Sequence, residues 1–197
     1  MKILLIRHAE SRHSIEKIIA VRSACPGLTE RGFSQARMLA EHLKTAGELN
    51  GITQLLCSPA LRARQTADAI SAVMQHPFCI NDRLTEQDSG EAEGLTHAEY
   101  DATYGAFMPF KQPTRPLAPG GETWEQKNAR VAAEMQSIAS AYQYQKVLAV
   151  THGGFIVTTF LTLLGMNRGF IDPPFTSLTE WEWHEERNFW ELLRYNA

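Results

Sequence analysis

Ile3-Leu4-Leu5-Ile6 is apolar at every position and gives way at once to Arg7-His8, the pattern of a short strand buried on both faces of a parallel sheet. Two later apolar runs end as abruptly: Thr53 to Cys57 stops at Ser58-Pro59, and Lys146 to Val150 stops at Thr151-His152-Gly153-Gly154. Between the strands the apolar period becomes helical. Phe33, Ala36, Leu39, Ala40 and Leu43 predict a helix to about Ala46, with Thr29 as its N-cap and Gly47 as its stop. Ala60 to Met74, Thr123 to Tyr142 and Phe155 to Leu164 predict three more helices, and a short strand is expected near Phe78 to Ile80. Ala102 to Gly121, broken by prolines and glycines, reads as an irregular excursion. Ser177 to His184 and Asn188 to Tyr195 alternate aromatic and polar residues about Glu185-Glu186-Arg187, as an antiparallel hairpin does, with Trp181, Trp183, Phe189 and Trp190 expected to pack into the core. Strands alternating with helices predict a three-layer α/β/α sandwich around a mostly parallel sheet, closed by that hairpin.

This topology already suggests where chemistry gathers. In a doubly wound sheet the carboxyl ends of the strands share one edge, so His8, His152, Arg7 and Arg62 are candidates for one cationic site. Guanidinium forks suit the oxygens of a phosphate dianion and keep their charge at physiological pH. A neutral imidazole there can attack phosphorus if its other nitrogen is held by an acceptor. The departing alkoxide then needs a proton from a neighbouring acid, and Glu86 is the candidate, with Asp82, Asp88, Glu91 and Glu93 available as loop-solvating alternatives. The Gly153-Gly154 pair after His152 permits close backbone approach to a ligand.

The chain has 197 residues, 44% of them hydrophobic and 21% charged, with a formal net charge of -3. That is enough for one sizeable core, and a single domain over 1–197 is expected. The weak negative charge excludes broad attraction to nucleic acid or an anionic membrane. Cys25, Cys57 and Cys79 form neither a disulfide framework nor a metal-ligand spacing. No apolar stretch reaches the length of a membrane span, and the N-terminal run is too short for a signal h-region, so a cytoplasmic location is expected.

Six blocks of sequence resemble a known family. Leu5-Ile6-Arg7-His8-Ala9-Glu10-Ser11, Gly27-Leu28-Thr29-Glu30-Arg31-Gly32-Phe33-Ser34-Gln35-Ala36 and Ser58-Pro59-Ala60-Leu61-Arg62-Ala63-Arg64-Gln65-Thr66-Ala67 are similar to signatures of the phosphoglycerate mutase-like histidine phosphatases. Leu84-Thr85-Glu86 with Gly90 and Glu93-Gly94, Pro119-Gly120-Gly121-Glu122-Thr123, and Val150-Thr151-His152-Gly153-Gly154 resemble the remaining blocks. The resemblance implies that His8 is phosphorylated, that Arg7, Arg62 and His152 hold the phosphoryl group, that Glu86 protonates the leaving group, and that water then hydrolyses phosphohistidine. It implies no metal and no cofactor.

The sequence departs from the pattern at three places. Ala9 replaces a usual glycine, Ser14 stands where many members carry a phosphate-contacting asparagine, and the spacing around Glu86 is shifted, which leaves Asp88 as a second candidate acid. Ser14 can still donate one hydrogen bond to phosphate, and Gly153 is expected in the phosphate-binding loop. The mutase branch is implied to carry inserts over the site that Ala102 to Gly121 is too short to supply. Hydrolysis of a small phosphorylated molecule is therefore expected ahead of mutase-type transfer or of a non-catalytic phosphate-binding module. The compact branch resembles broad-specificity acid phosphatases, α-ribazole phosphatase and sugar or phosphoglycerate phosphatases. Arg12, Arg22, Lys111 and Arg115 are candidate substrate-selecting charges that also read as solvated loop residues. Among the remaining histidines, His42, His76, His97 and His184 read as surface or packing residues, whereas His13 lies close enough to the nucleophile loop to reach substrate. Dimerisation through the hairpin stays open.

Overall fold

A computed structural model describes residues 1–21, 23–166 and 171–196; Arg22 lies outside the described residues. The elements in chain order are β1 (Lys2–Arg7), α1 (Arg12–Glu16), α2 (Glu30–Thr45), β2 (Ile52–Cys57), α3 (Leu61–Met74), β3 (Cys79–Ile80), α4 (His97–Tyr104), α5 (Trp124–Ala141), β4 (Lys146–Thr151), α6 (Gly153–Leu163), β5 (Leu178–His184) and β6 (Phe189–Tyr195). They build one six-stranded sheet in the order β3-β2-β4-β1-β5-β6. The first four of these strands run parallel, and β5 and β6 form the expected antiparallel hairpin at one edge.

The unbroken apolar run of β1 is explained by helices on both faces of the sheet. Leu4 and Ile6 pack with Ala40 and Leu43 of α2 and Ala63, Ala67 and Ile70 of α3. Ile3 and Leu5 pack with Val131, Met135 and Ile138 of α5 and Phe155, Ile156 and Phe160 of α6. All four β1 residues are fully buried, at roughly 1.5–3 kcal/mol of hydrophobic stabilisation per side chain.

The helix starts follow the local chemistry. Thr29 Oγ1 accepts from Gly32 N at 2.9 Å, the expected cap of α2. Thr123 and Gln126 cap α5 reciprocally. Two helices were not expected. The first, α1, is a single short turn after Ser11; the second, α4, lies mostly ahead of the irregular excursion and overlaps it over Ala102 to Tyr104. Thr96 and Glu99 form a capping box there, a local signal strong enough to start a helix before the prolines end it.

The hairpin bears out the aromatic pattern with one correction. Trp181 and Trp190 are buried, and Trp183 packs against the same core. Phe189 is exposed and stacks on His184 instead, because pairing His184 with Phe189 puts both on the outer face. Among the described residues, no helix is long and apolar enough to cross a membrane.

Candidate active site

Register brings the candidate residues together. Arg7 pairs with Thr151, and Cys57 with Val150, so Arg7-His8, Ser58 and His152 all emerge at the carboxyl edge of adjacent strands. The ladder continues one step beyond the strand ends: His8 N donates to Thr151 O at 3.0 Å and Ser58 N to Val150 O at 3.0 Å. A cavity of about 520 Å³ opens over this edge, lined among others by Arg7, His8, His13, Ser14, Arg62 and Glu86.

Arg62 is the hub of the site. It is 1% exposed, and its Nε donates to His8 Nε2 at 3.1 Å while one terminal nitrogen lies 3.0 Å from His152 Nδ1. The other terminal nitrogen donates to Ala20 O at 2.7 Å and to Cys25 Sγ at 3.3 Å. Every partner is neutral, and among the described residues no carboxylate comes within ion-pair distance of Arg62. A buried cation without an anion beside it is costly.

The hydrogen bonds assign the imidazole tautomers. His8 Nδ1 is 2.8 Å from Ala9 O and donates to it, which leaves the Nε2 lone pair on the cavity side. Burial, then Arg62 and His152, push His8 well below its ordinary range and favour the neutral imidazole. His152 accepts from Arg62 at Nδ1 and therefore carries its proton on Nε2, where Ser58 Oγ lies at 2.7 Å. Burial and Arg62 also push His152 well down. A serine hydroxyl can accept or donate, so Ser58 can follow His152 if the proton moves to Nδ1.

Arg7 packs its guanidinium 4.3 Å above the Phe175 ring and bonds Asp172 and the carbonyl of Pro173. Among the described residues its buried Nε has no hydrogen-bond partner. Gly153 lies against it: a Cβ at Gly153 would sit 3.2 Å from Arg7 Nε.

Glu86 faces the His8 cavity, whereas Asp88 lines a separate surface depression and accepts from Gly90 N at 3.0 Å. The loop carrying Glu86 is pinned from two sides. Thr151 Oγ1 donates to Leu84 O at 2.7 Å. Arg130, held by Glu122 at 2.8 Å, donates to the carbonyls of Arg83, Thr85 and Glu86. Glu86 accepts from Gln87 N at 3.0 Å and Gly154 N at 2.9 Å, with Lys127 Nζ at 3.1 Å. Burial by itself raises the carboxyl, but Lys127 and the two backbone donors outweigh it and hold the group at about 2.

The departures from the family pattern have structural answers. Ala9 is fully buried, its N–H donates to Thr66 Oγ1 at 3.1 Å, and its φ is not positive, so the methyl is accommodated without strain. Ser14 lines the cavity and bonds Ser11 Oγ at 3.2 Å. His13 lines it as well, and burial together with Arg62 pushes it down to about 3.

Other expectations shift. His97, read as a surface or packing residue, stands on the cavity wall at the start of α4. Arg12 and Lys111 are exposed and outside the cavity, and Arg115 instead holds its own loop through Gln112 and backbone carbonyls. Glu93 ties down the backbone at Val21 and Ala24. Among the described residues, three side chains that could share a metal ion, Glu182, His184 and Glu191, lie on the hairpin, away from His8.

Sequence reasoning missed Lys127, Ser58 and Trp124. Lys127 had a signal: it falls on the same helical stripe as the buried Val131, Met135 and Ile138, where a lysine is out of place.

The model of the histidine phosphatase superfamily (branch 1) matches residues 3–197. The chain belongs to that family. A Hydrogenobacter thermophilus protein provisionally named phosphoserine phosphatase 2 is 32% identical, covering 84% of this chain and 80% of its own. A Salmonella paratyphi B protein provisionally named phosphoglycerate mutase GpmB is 29% identical, covering 83% of this chain and 76% of its own. Some other relatives are longer, and the chain spans 34% to 41% of their length. The solved α-ribazole phosphatase of Shigella flexneri superposes with a TM-score of 0.84 at 24% identity, covering 100% of this chain and 96% of that one, which establishes the shared fold.

Proposed function

We propose that this member of the histidine phosphatase superfamily hydrolyses a small phosphate monoester through a phosphohistidine on His8, without a metal. The observation that carries the reading is Arg62: a buried guanidinium bonded to both site histidines and, among the described residues, to no carboxylate. A phosphate dianion satisfies that cation and takes over its N–H donors. Releasing Arg62 from His8 Nε2 frees the lone pair for in-line attack on phosphorus. Arg7 Nε, His152 and Ser14 supply further donors, and Gly153 gives room beside Arg7. Glu86 stands where the leaving oxygen receives its proton and, in the second step, where water gives one up. Charge that develops on the phosphoryl oxygens is met by arginines, as phosphoryl transfer requires.

Relatives carry both phosphatase and mutase names, and water access separates the two outcomes. Here the cavity is open, and the stretch between α4 and α5 is short, which favours hydrolysis. The test is phosphate release from a panel of phosphomonoesters by wild type and His8→Ala, with isomerisation of 3-phosphoglycerate followed in parallel. Release that vanishes in the variant supports the reading. Isomerisation without release makes the protein a mutase, and neither makes it a binding module.

A further inference from the structure

A leaving alkoxide needs a proton, and Glu86 in the free protein has none to give. Its carboxylate accepts from two backbone N–H groups and faces the Lys127 ammonium. The proton on this wall resides on Lys127. That side chain is 3% exposed although it is charged. Its Nζ lies 3.1 Å from Glu86 Oε1 and 4.9 Å from the centre of the Trp124 ring, and it lines the cavity that holds His8. The two arginines cannot release a proton under working conditions, and His8, His13 and His152 are held neutral.

We propose that Lys127 supplies, through Glu86, the proton that the leaving alkoxide takes up, and recovers it from the water that hydrolyses phosphohistidine. This rests on the phosphohistidine reading above. In the first step the His8 Nε2 lone pair forms the N–P bond and the P–O bond to the organic group breaks with its electron pair on oxygen. Glu86 passes a proton to that oxygen as Lys127 passes one to Glu86, leaving an alcohol, a carboxylate and a neutral amine. In the second step water forms the new P–O bond, the N–P bond returns its pair to His8, and the proton of water travels through Glu86 back to Lys127. Lys127 acts through Glu86 and is a positioning residue, not one that touches the reacting atoms.

The pair carries one shiftable proton wherever lysine is charged and glutamate is ionised, so proton delivery does not depend on titrating Glu86 from solvent. The charged and titratable groups that face it are Arg7, His13, Arg62, His97, His152 and Arg130. Among the described residues the one other carboxylate on the cavity lining is Asp172, which is paired with Arg7.

The experiment measures kcat/KM against pH for a simple alkyl phosphate and for p-nitrophenyl phosphate, whose leaving group needs little protonation, in wild type, Lys127→Met and Lys127→Arg. Each value is first divided by the dianion fraction of its own substrate, because alkyl and aryl phosphates titrate at different pH, and the ratio of the corrected values is read. In wild type the ratio is expected to stay level from about pH 5 to about pH 8. In Lys127→Met it falls with rising pH, by about tenfold per unit once Glu86 must be protonated from solvent. Lys127→Arg keeps the charge but has no proton to release, and its ratio stays low throughout. A wild-type ratio in Lys127→Arg, or an equal loss on both substrates at every pH in Lys127→Met, overturns the proposal. Trapping of acid-labile phosphoenzyme in wild type, and its absence in His8→Ala, is read separately, so failure of the phosphohistidine reading shows there and not in the ratio.

Discussion

Arg62 Nε donates to His8 Nε2 at 3.1 Å, so the residue proposed to bind phosphate also covers the lone pair of the proposed nucleophile. Substrate binding and unmasking of the lone pair are then one event. Replacing Arg62 by lysine keeps a charge but loses the fork that reaches His8, His152 and Ala20 O together. Turnover of any phosphomonoester is expected to fall on the order of a hundredfold or more, most of it in kcat/KM. Steady-state kinetics with the lysine variant check this, and a loss below about threefold removes Arg62 from its central place.

Gly154 is expected to tolerate no side chain. A Cβ there would lie 2.2 Å from Glu86 Oε1 and 2.6 Å from Oε2, so Gly154→Ala must push the carboxylate away from Lys127. The expected result is a large loss of turnover on alkyl phosphates, a smaller one on p-nitrophenyl phosphate, and near-normal melting.

Ser58 sets the proton on His152 through the 2.7 Å contact to Nε2. In Ser58→Ala that buried nitrogen loses its partner, at a cost of about 1–3 kcal/mol, and His152 loses the hydroxyl that lets its proton switch sides. Lower stability together with a reduced kcat is expected; Ser58→Thr, which keeps a hydroxyl, should recover much of both. Thermal melts and kinetics on the two variants decide it.

Stability should fall as the solution is acidified from neutrality. His8, His13 and His152 are held below 6.5 in the folded chain, by burial first and then by Arg62. Below about pH 6.5 the unfolded chain therefore binds more protons than the folded one, and each histidine removes up to about 1.4 kcal/mol per pH unit. Glu86, lowered to about 2, adds a second loss below about pH 4.5. Melting temperatures measured between about pH 7.5 and about pH 4 should drop steadily. A flat profile would show that the histidines are not held neutral.

Adding a chelator should leave phosphate release unchanged, since Arg7 and Arg62 meet the charge that a metal would otherwise meet. Loss with EDTA and recovery with a divalent ion would contradict that account.

Ile3 to Ile6, apolar on every side, demanded cover on both faces, and the abrupt stops after β1 and β4 placed Arg7, His8 and His152 on one edge. Thr29, Thr123 and the aromatic alternation of the hairpin were equally legible, because caps and period-two patterns act over a few neighbouring residues. These local signals, with the six blocks of family resemblance, determined the fold class, the edge where the site lies and the core set of Arg7, His8, Arg62 and His152. The tertiary structure decided the rest. It turned Glu86 into the cavity and Asp88 out of it, brought His97 and Trp124 to the wall, and set Lys127 against Glu86. It also gave Arg62 the neutral partners Ala20 and Cys25 from a loop without periodic pattern. Those choices depend on how α5 packs across the sheet and how the loops are pinned, and contacts between segments distant in sequence leave no period in the chain. Lys127 shows where the two meet: its place on a buried stripe was written in the sequence, but the carboxylate that makes a buried ammonium tolerable is supplied only by the folded chain.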